Sequence, residues 1–314
     1  MRDLFETEPP LDASRTMTLY DAFYQSQSLP LPSGAVDKMR YVDRLTDCLN
    51  ECEGLILDSY GVIGLGSAPI PGIQDFFKQL QAHDVPFVIL TNGASKPAEA
   101  RVPGYQAWDL PIVASDIISS RDACYQHLMA YRETHPNSRI TYLGANVQPF
   151  DDIPGLIYGM AGWDEADLYC FMGAIGWSHT DQAALESALQ RKSAVIVTAN
   201  PDVSAPQVSG FSYEPGYWAM RAKAQTGCDV VMTGKPYGAA FQLAVTRLEA
   251  KAGRRLALSK IGMVGDSLHT DILGANSFGL RSILLRSFGL MSGFDCQEMT
   301  RKMRIYPSLV AEII

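Results

Sequence analysis

The chain has 314 residues, of which 47% are hydrophobic and 19% charged, with a formal net charge of -8, enough to bury a large core and to form two medium-sized domains. No run of lysines or arginines could neutralise a nucleic-acid backbone, so nucleic-acid binding is excluded and small-molecule chemistry is expected. No apolar run approaches the ~20 residues that a membrane span needs, so no membrane partner is expected. The six cysteines (Cys48, Cys52, Cys124, Cys170, Cys228 and Cys296) show no paired CxxC spacing, and Asp3, Glu6 and Glu8 come too early for a secretory signal. Reduced thiols in a cytoplasmic protein are the expectation, and Cys48 with Cys52 lacks the companion His or Cys pair of a zinc site.

Residues 1–33 read as an extension or arm, running into the breaker cluster Leu29-Pro30-Leu31-Pro32-Ser33-Gly34. From Ala35 to Cys52, apolar residues at Val36, Met39, Val42, Leu45 and Leu49 predict a helix. A buried strand, Gly54-Leu55-Ile56-Leu57, then ends at Asp58 and the turn Ser59-Tyr60-Gly61-Val62. A helix over Ile73 to His83 leads to a second buried strand, Pro86 to Leu90, that ends at Thr91-Asn92-Gly93. Another helix and a short strand around Ile112-Val113 continue a βαβ alternation, which implies a parallel sheet with right-handed crossovers.

The run His135-Pro136-Asn137-Ser138 breaks that pattern, and a new α/β set follows with strands at Ile140 to Leu143, Leu168 to Met172 and Ala194 to Val197. The first pattern returns at Val230-Val231-Met232, Ile261 to Val264 and Ser282 to Leu285. The fold expected is therefore α/β, a doubly wound parallel sheet of Rossmann-like type built from residues 34–133 and 230–314, with an inserted α/β domain over 134–229.

Four polar clusters follow strands assigned to the core: Asp58, Thr91-Asn92, Lys235, and Asp266 with Asp271. The carboxyl ends of parallel strands share one edge, so these residues should converge there. A carboxylate nucleophile, a small hydroxyl and amide, a cation and further carboxylates make a set suited to phosphoryl transfer around a hard cation.

The motifs Leu57-Asp58-Ser59-Tyr60-Gly61-Val62, Leu90-Thr91-Asn92, Gly234-Lys235-Pro236 and Gly265-Asp266-Ser267-Leu268-His269-Thr270-Asp271, taken in order, resemble the haloacid dehalogenase (HAD) superfamily. Within it they resemble the class IIA branch of NagD-like and nitrophenylphosphatase-like sugar phosphatases, whose cap is inserted between the second and third motifs. Ala199-Asn200-Pro201-Asp202 and Pro215-Gly216 resemble that branch's cap and its return to the core. The resemblance implies a Mg²⁺-dependent hydrolase of a small phosphorylated metabolite, with Asp58 forming an aspartyl-phosphate and also binding the metal. It further implies metal ligation by the Tyr60 carbonyl and Asp266, outer-shell bonding by Asp271, phosphoryl binding by Thr91 and Asn92, and charge balance by Lys235. The substrate would meet Asn200 and Asp202 on the cap.

This chain departs from the family at Tyr60, where its phosphatases carry the aspartate that protonates the leaving oxygen. A phenol with an ordinary pKa near ~10 is a poor substitute, so activated aryl or acyl phosphates should be favoured. Two other readings stay open: a phosphometabolite-binding protein without turnover, and hydrolysis at carbon, as in the metal-independent haloacid dehalogenases, whose turn is also D-x-Y-G. A homo-oligomeric assembly also stays open. His269 reads as an incidental loop residue.

Overall fold

The computed structural model describes residue 5 and residues 11–26, 38–157, 163–207 and 210–314. In chain order, α1 (Ala13–Ser26) precedes β1 (Arg40–Arg44), β2 (Gly54–Leu57), the short antiparallel pair β3 (Gly64–Leu65) and β4 (Ala68–Pro69), α2 (Ile73–Ala82), β5 (Phe87–Thr91), α3 (Val102–Gln106), β6 (Ile117–Ser119) and α4 (Ser120–Thr134). Next come β7 (Ile140–Leu143), β8 (Leu156–Ile157), β9 (Leu168–Phe171), α5 (His179–Arg191), β10 (Val195–Thr198), the antiparallel pair β11 (Ser204–Gln207) and β12 (Gly210–Tyr213), α6 (Pro215–Thr226) and β13 (Val230–Met232). The chain closes with α7 (Gly238–Ala252), β14 (Ile261–Gly265), a π-helical turn at Leu268–Ile272, α8 (Leu273–Phe278), β15 (Arg281–Leu285), α9 (Cys296–Met303) and β16 (Leu309–Ile313).

Among the described residues the first sheet runs β1-β16-β15-β14-β2-β5-β6, parallel throughout. Its central strands are apolar on both faces because helices cover both. Leu55 and Leu57 of β2 point into a cluster with Phe76 and Phe77 of α2, while Ile56 between them joins Phe241 and Leu248 of α7. The period-two alternation of a strand sends neighbouring side chains to opposite layers, which is why Gly54–Leu57 is buried at every position. The second sheet, β13-β10-β9-β7-β8, is also parallel among the described residues.

Several expectations need correction. Residues 40–44 form a strand and 45–51 a 3₁₀ helix where one helix was expected; Val36 lies outside the described residues. The apolar spacing was helical, but pairing with a distant strand, Arg40 opposite Leu309 and Val42 opposite Ala311, decides the conformation. The strand expected around Ile112-Val113 lies instead at Ile117–Ser119, paired to β5. Val230–Met232 does not rejoin the first sheet: it pairs with β10, as the edge strand of the second.

The breaker cluster Leu29 to Gly34 lies outside the described residues. Within the expected arm, residues 13–26 form α1, whose start is held by the Arg15 N–H donating to Asp12 Oδ1 at 2.7 Å. Its Met17, Leu19, Tyr20, Phe23 and Tyr24 are buried in a cluster shared with Tyr217 and Trp218 of α6 and with Leu268 and Ile272 beside β14. α1 thus packs against both sheet layers.

Candidate active site

Asp58 lies one residue past β2, and its N–H donates to the Val264 carbonyl at 2.9 Å, which ties it to β14 next door. β14 in turn delivers Asp266, and β5 delivers Thr91 and Asn92. These three strand ends meet as the parallel topology requires. Lys235 arrives differently. It follows β13, an edge strand of the other sheet, and its backbone is fixed by Asn92, whose Oδ1 accepts from Lys235 N at 2.7 Å and whose Nδ2 donates to the Lys235 carbonyl at 3.1 Å. The crossing is tight: a Cβ on Gly234 would come within 2.4 Å of Asn92 Oδ1 and 2.6 Å of Pro201 Cδ.

Asp58, Asp266 and Asp271 are buried, and each offers an oxygen within 4.8 Å of the others. Lys235 Nζ lies 2.6 Å from Asp58 Oδ1 and 2.7 Å from Asp271 Oδ1. Burial alone would push this ammonium down, but the Asp271 and Asp58 carboxylates more than offset that and hold its pKa above the usual lysine value. Asp58 accepts from Ser59 N at 2.7 Å, and burial still raises it to about 7 despite Lys235.

Asp266 accepts from Leu290 N at 2.7 Å; burial first, then the Asp58 and Asp271 charges, drive its pKa well above the usual carboxyl range. Its loop neighbour Gly289 has φ +70°, and a Cβ there would land 1.7 Å from Asp266 Oδ2. Asp271 is spent on positioning, with Oδ2 accepting from Ser267 N at 3.1 Å and Oδ1 facing Lys235.

A divalent cation fits this donor set. Three buried carboxylates face one ammonium, an arrangement that burial makes costly unless more positive charge enters. In the Asp58 turn, the Ile63 and Gly64 N–H groups donate to the Ser59 carbonyl and Gly61 N–H to Gly64, so the turn's own bonds leave out the Tyr60 carbonyl. Hard oxygen ligands of this kind suit Mg²⁺ or Ca²⁺.

The Tyr60 side chain is engaged elsewhere. Its hydroxyl donates to the Pro206 carbonyl of β11 at 2.5 Å, and burial raises its pKa. Segments of both sheets enclose a cavity of about 280 Å³ whose lining includes Asp58, Tyr60, Thr91, Asn92, Lys235 and Asp266, together with Asn200 and Asp202. All the residues singled out from the sequence reach this cavity or, like Asp271, touch a residue that does.

Sequence reasoning missed three of its walls. Tyr20 comes from α1, and its hydroxyl donates to Asp202 Oδ1 at 3.4 Å and accepts from Val203 N at 3.2 Å. Arg101 and Glu214 also line the cavity. Glu214 stands immediately before Pro215-Gly216, the one signal that could have found it. Asp202 also accepts from Asn92 Nδ2 at 2.8 Å, and burial lifts its pKa to about 6. His269 is buried and stacked on Tyr20 and Tyr24, with centroids 5.0 and 5.8 Å away; burial lowers its pKa to about 3, so it stays neutral.

Comparison with known proteins agrees with this architecture. Residues 55–148 match a family of haloacid dehalogenase-like hydrolases and residues 232–312 a second HAD-hydrolase-like family. The chain belongs to the HAD-like hydrolases, with a Rossmann-like α/β core. It is 26% identical over 258 residues to the D-glycerol 3-phosphate phosphatase of Mycobacterium tuberculosis, an alignment covering 78% of this chain and 65% of that protein. It is 23% identical over 240 residues to an acid sugar phosphatase of Staphylococcus haemolyticus, covering 74% of this chain and 84% of the relative. Among solved structures, a possible sugar phosphatase of the HAD superfamily from Cytophaga hutchinsonii superposes with a TM-score of 0.76 at 26% identity, over 87% of this chain and 98% of that one.

Proposed function

We propose that the protein is a divalent-metal-dependent phosphatase that hydrolyses a small phosphorylated metabolite, a sugar or glycerol phosphate, through an aspartyl-phosphate on Asp58. The observation that carries this reading is the buried cluster of Asp58, Asp266 and Asp271 around the Lys235 ammonium, opening on a cavity that a metabolite could occupy. The phosphatase names of the relatives support the reaction class. Hydrolysis at carbon would have no use for so concentrated an acidic cluster.

In this reading Asp58, the Tyr60 carbonyl and Asp266 hold Mg²⁺, which when bound supplies positive charge against the nucleophile and the transferring phosphoryl group. Lys235 neutralises Asp58 on its other side and is itself aimed by Asp271. Thr91, whose Oγ1 accepts from Gly93 N at 3.2 Å, and Asn92 flank the phosphoryl position. Asn92 has a second task, because its amide links the Lys235 backbone to Asp202. Residues 134–229 act as the cap that excludes water and selects substrate, with Asn200 and Asp202 on its inner surface. The free cysteines among the described residues suit a cytoplasmic setting.

The test is phosphate release from glycerol phosphate and a panel of sugar phosphates. Turnover with Mg²⁺, lost on chelation and restored by the ion, is expected. Saturable metabolite binding without any phosphate release would contradict it and leave a binding protein.

A further inference from the structure

The turn after Asp58 carries a phenol where an acid would be useful, and the phenol's single proton is committed to the Pro206 carbonyl. An alkoxide leaving group needs a proton from somewhere, and general acid catalysis contributes typically ~10²- to 10⁴-fold. The opposite wall of the cavity supplies carboxyls. Asp202 is tied by Asn92 and Tyr20. Glu214, at the mouth of α6, is held by neutral donors: Ser212 Oγ at 2.7 Å from Oε1 and Asn200 Nδ2 at 3.2 Å from Oε2. No cation pairs with it among the described residues.

We propose that Glu214 is the general acid and base of the reaction, supplied by the second-sheet segment to fill the part left open at position 60. This rests on the phosphatase reading above and deepens it. Two observations support it independently of that reading. Glu214 lines the same cavity as Asp58 and Lys235, and Ser212 and Asn200 fix both oxygens of its carboxyl there. Burial first, and then the neighbouring Asp202, raise its pKa to about 7 against the Ser212 hydrogen bond, which favours the carboxylate; an acid that must also serve as a base is most useful there. The titratable groups around it are Asp202 on its own segment, Tyr60, Asp58, Asp266, Lys235 and Arg101 across the cavity, and Tyr20 from α1.

The chemistry balances. Asp58 attacks phosphorus, and the ester P–O bond breaks with its electron pair on the leaving oxygen, which takes the Glu214 proton and departs as an alcohol. Water then attacks the acyl phosphate on Asp58 and gives a proton to the Glu214 carboxylate. The bond to Asp58 breaks with its pair returning to the aspartate. Ester and water have become alcohol and phosphate, and Glu214 ends protonated as it began.

Glu214→Gln keeps the shape and can still accept from Asn200, with its NH2 donating to Ser212 Oγ, but it carries no transferable proton. With glycerol phosphate its kcat should fall about 10²- to 10⁴-fold. With dinitrophenyl phosphate, whose leaving group needs no proton, the variant should release one burst of dinitrophenolate per site and then turn over slowly, because the base of the second step is missing. A glycerol phosphate kcat within about threefold of wild type overturns the proposal, and so does a large loss in Asp202→Asn with none in Glu214→Gln. Wild type that releases phosphate from neither ester sinks the phosphatase reading itself, which separates the two failures. If Glu214→Gln does not fold, the wild-type pH profile decides. An alkaline limb in kcat/KM for glycerol phosphate that is absent for dinitrophenyl phosphate supports the role, and identical profiles for the two esters overturn it.

Discussion

The two walls of the cavity both present buried carboxyls, and they differ in what faces them. On the first-sheet wall, Asp58 and Asp271 share the Lys235 ammonium at 2.6 and 2.7 Å, and Asp266 stands beside them as a third acid. On the opposite wall, among the described residues, Asp202 and Glu214 hydrogen-bond to amides and hydroxyls: Asn92 and Tyr20 for the one, Asn200 and Ser212 for the other. Burial raises the acids on both walls; Lys235 opposes it by direct contact at Asp58 and from farther off at Asp202, and no cation opposes it at Glu214. Residues that must stay charged, to attack phosphorus or bind a metal, sit with the cation. Glu214, proposed to move a proton, has no cation beside it among the described residues.

The largest test of this contrast is Lys235→Met. Removing the ammonium leaves Asp58 and Asp271 buried without their partner, which should cost about 3–5 kcal/mol of stability and abolish phosphate release, as read by denaturant unfolding and turnover. A loss under about 1 kcal/mol would mean that the carboxylates are neutral without the lysine. The corresponding change opposite Glu214, Ser212→Ala, removes one hydrogen bond to a charged or neutral acid and should cost no more than about 1–3 kcal/mol.

Next in size is the pH response without metal. A carboxyl whose pKa is raised by folding binds its proton more tightly in the folded state, so its stabilising contribution is complete below the unfolded value and is lost as pH rises to the folded one. Asp58 and Glu214, at about 7, and Asp202, at about 6, should therefore lower the melting temperature of the metal-free protein between about pH 4 and pH 7. Mg²⁺ should raise the melting temperature more at pH 8 than at pH 5, since it favours the ionised Asp58 and Asp266. A metal-free profile that climbs across that interval would overturn the account of both walls.

Smaller effects belong to the contacts that join the walls. Tyr60→Phe removes the bond to Pro206 and should raise KM a few-fold with kcat nearly unchanged, a loss of about 0.5–1.5 kcal/mol. A hundredfold fall in kcat would make the phenol itself the acid. Tyr20→Phe should have the smallest effect on turnover, because its bond to Asp202 is long at 3.4 Å and ring packing against His269 survives the change, while loss of the acceptor for Val203 N–H should cost about 1–3 kcal/mol of stability.

How much of this was legible in the sequence follows from how local each signal was. β2, β5, β14 and β15 announced themselves as apolar runs, and Asp58, Thr91-Asn92 and Asp266 followed because the ends of parallel strands must meet. Arg40–Arg44 was misread because its conformation depends on Leu309–Ile313, far along the chain. Lys235 reaches the cavity but was assigned to the wrong sheet, since a three-residue strand such as Val230–Met232 carries no mark of which sheet it will join. Tyr20 had no motif to reveal it, and Glu214 only its place before Pro215-Gly216. One reaches the cavity by helix packing, and the other by the fold of β12 into α6.

The central claim is that Asp58 carries the phosphoryl group. Rapid acid quench of the protein turning over dinitrophenyl phosphate with Mg²⁺, followed by peptide mass analysis, should find the mass of one phosphoryl group on the peptide that contains Asp58 in wild type and none in Asp58→Asn. Phosphate release with no phosphoryl adduct on Asp58, or an adduct on another residue, would contradict the account.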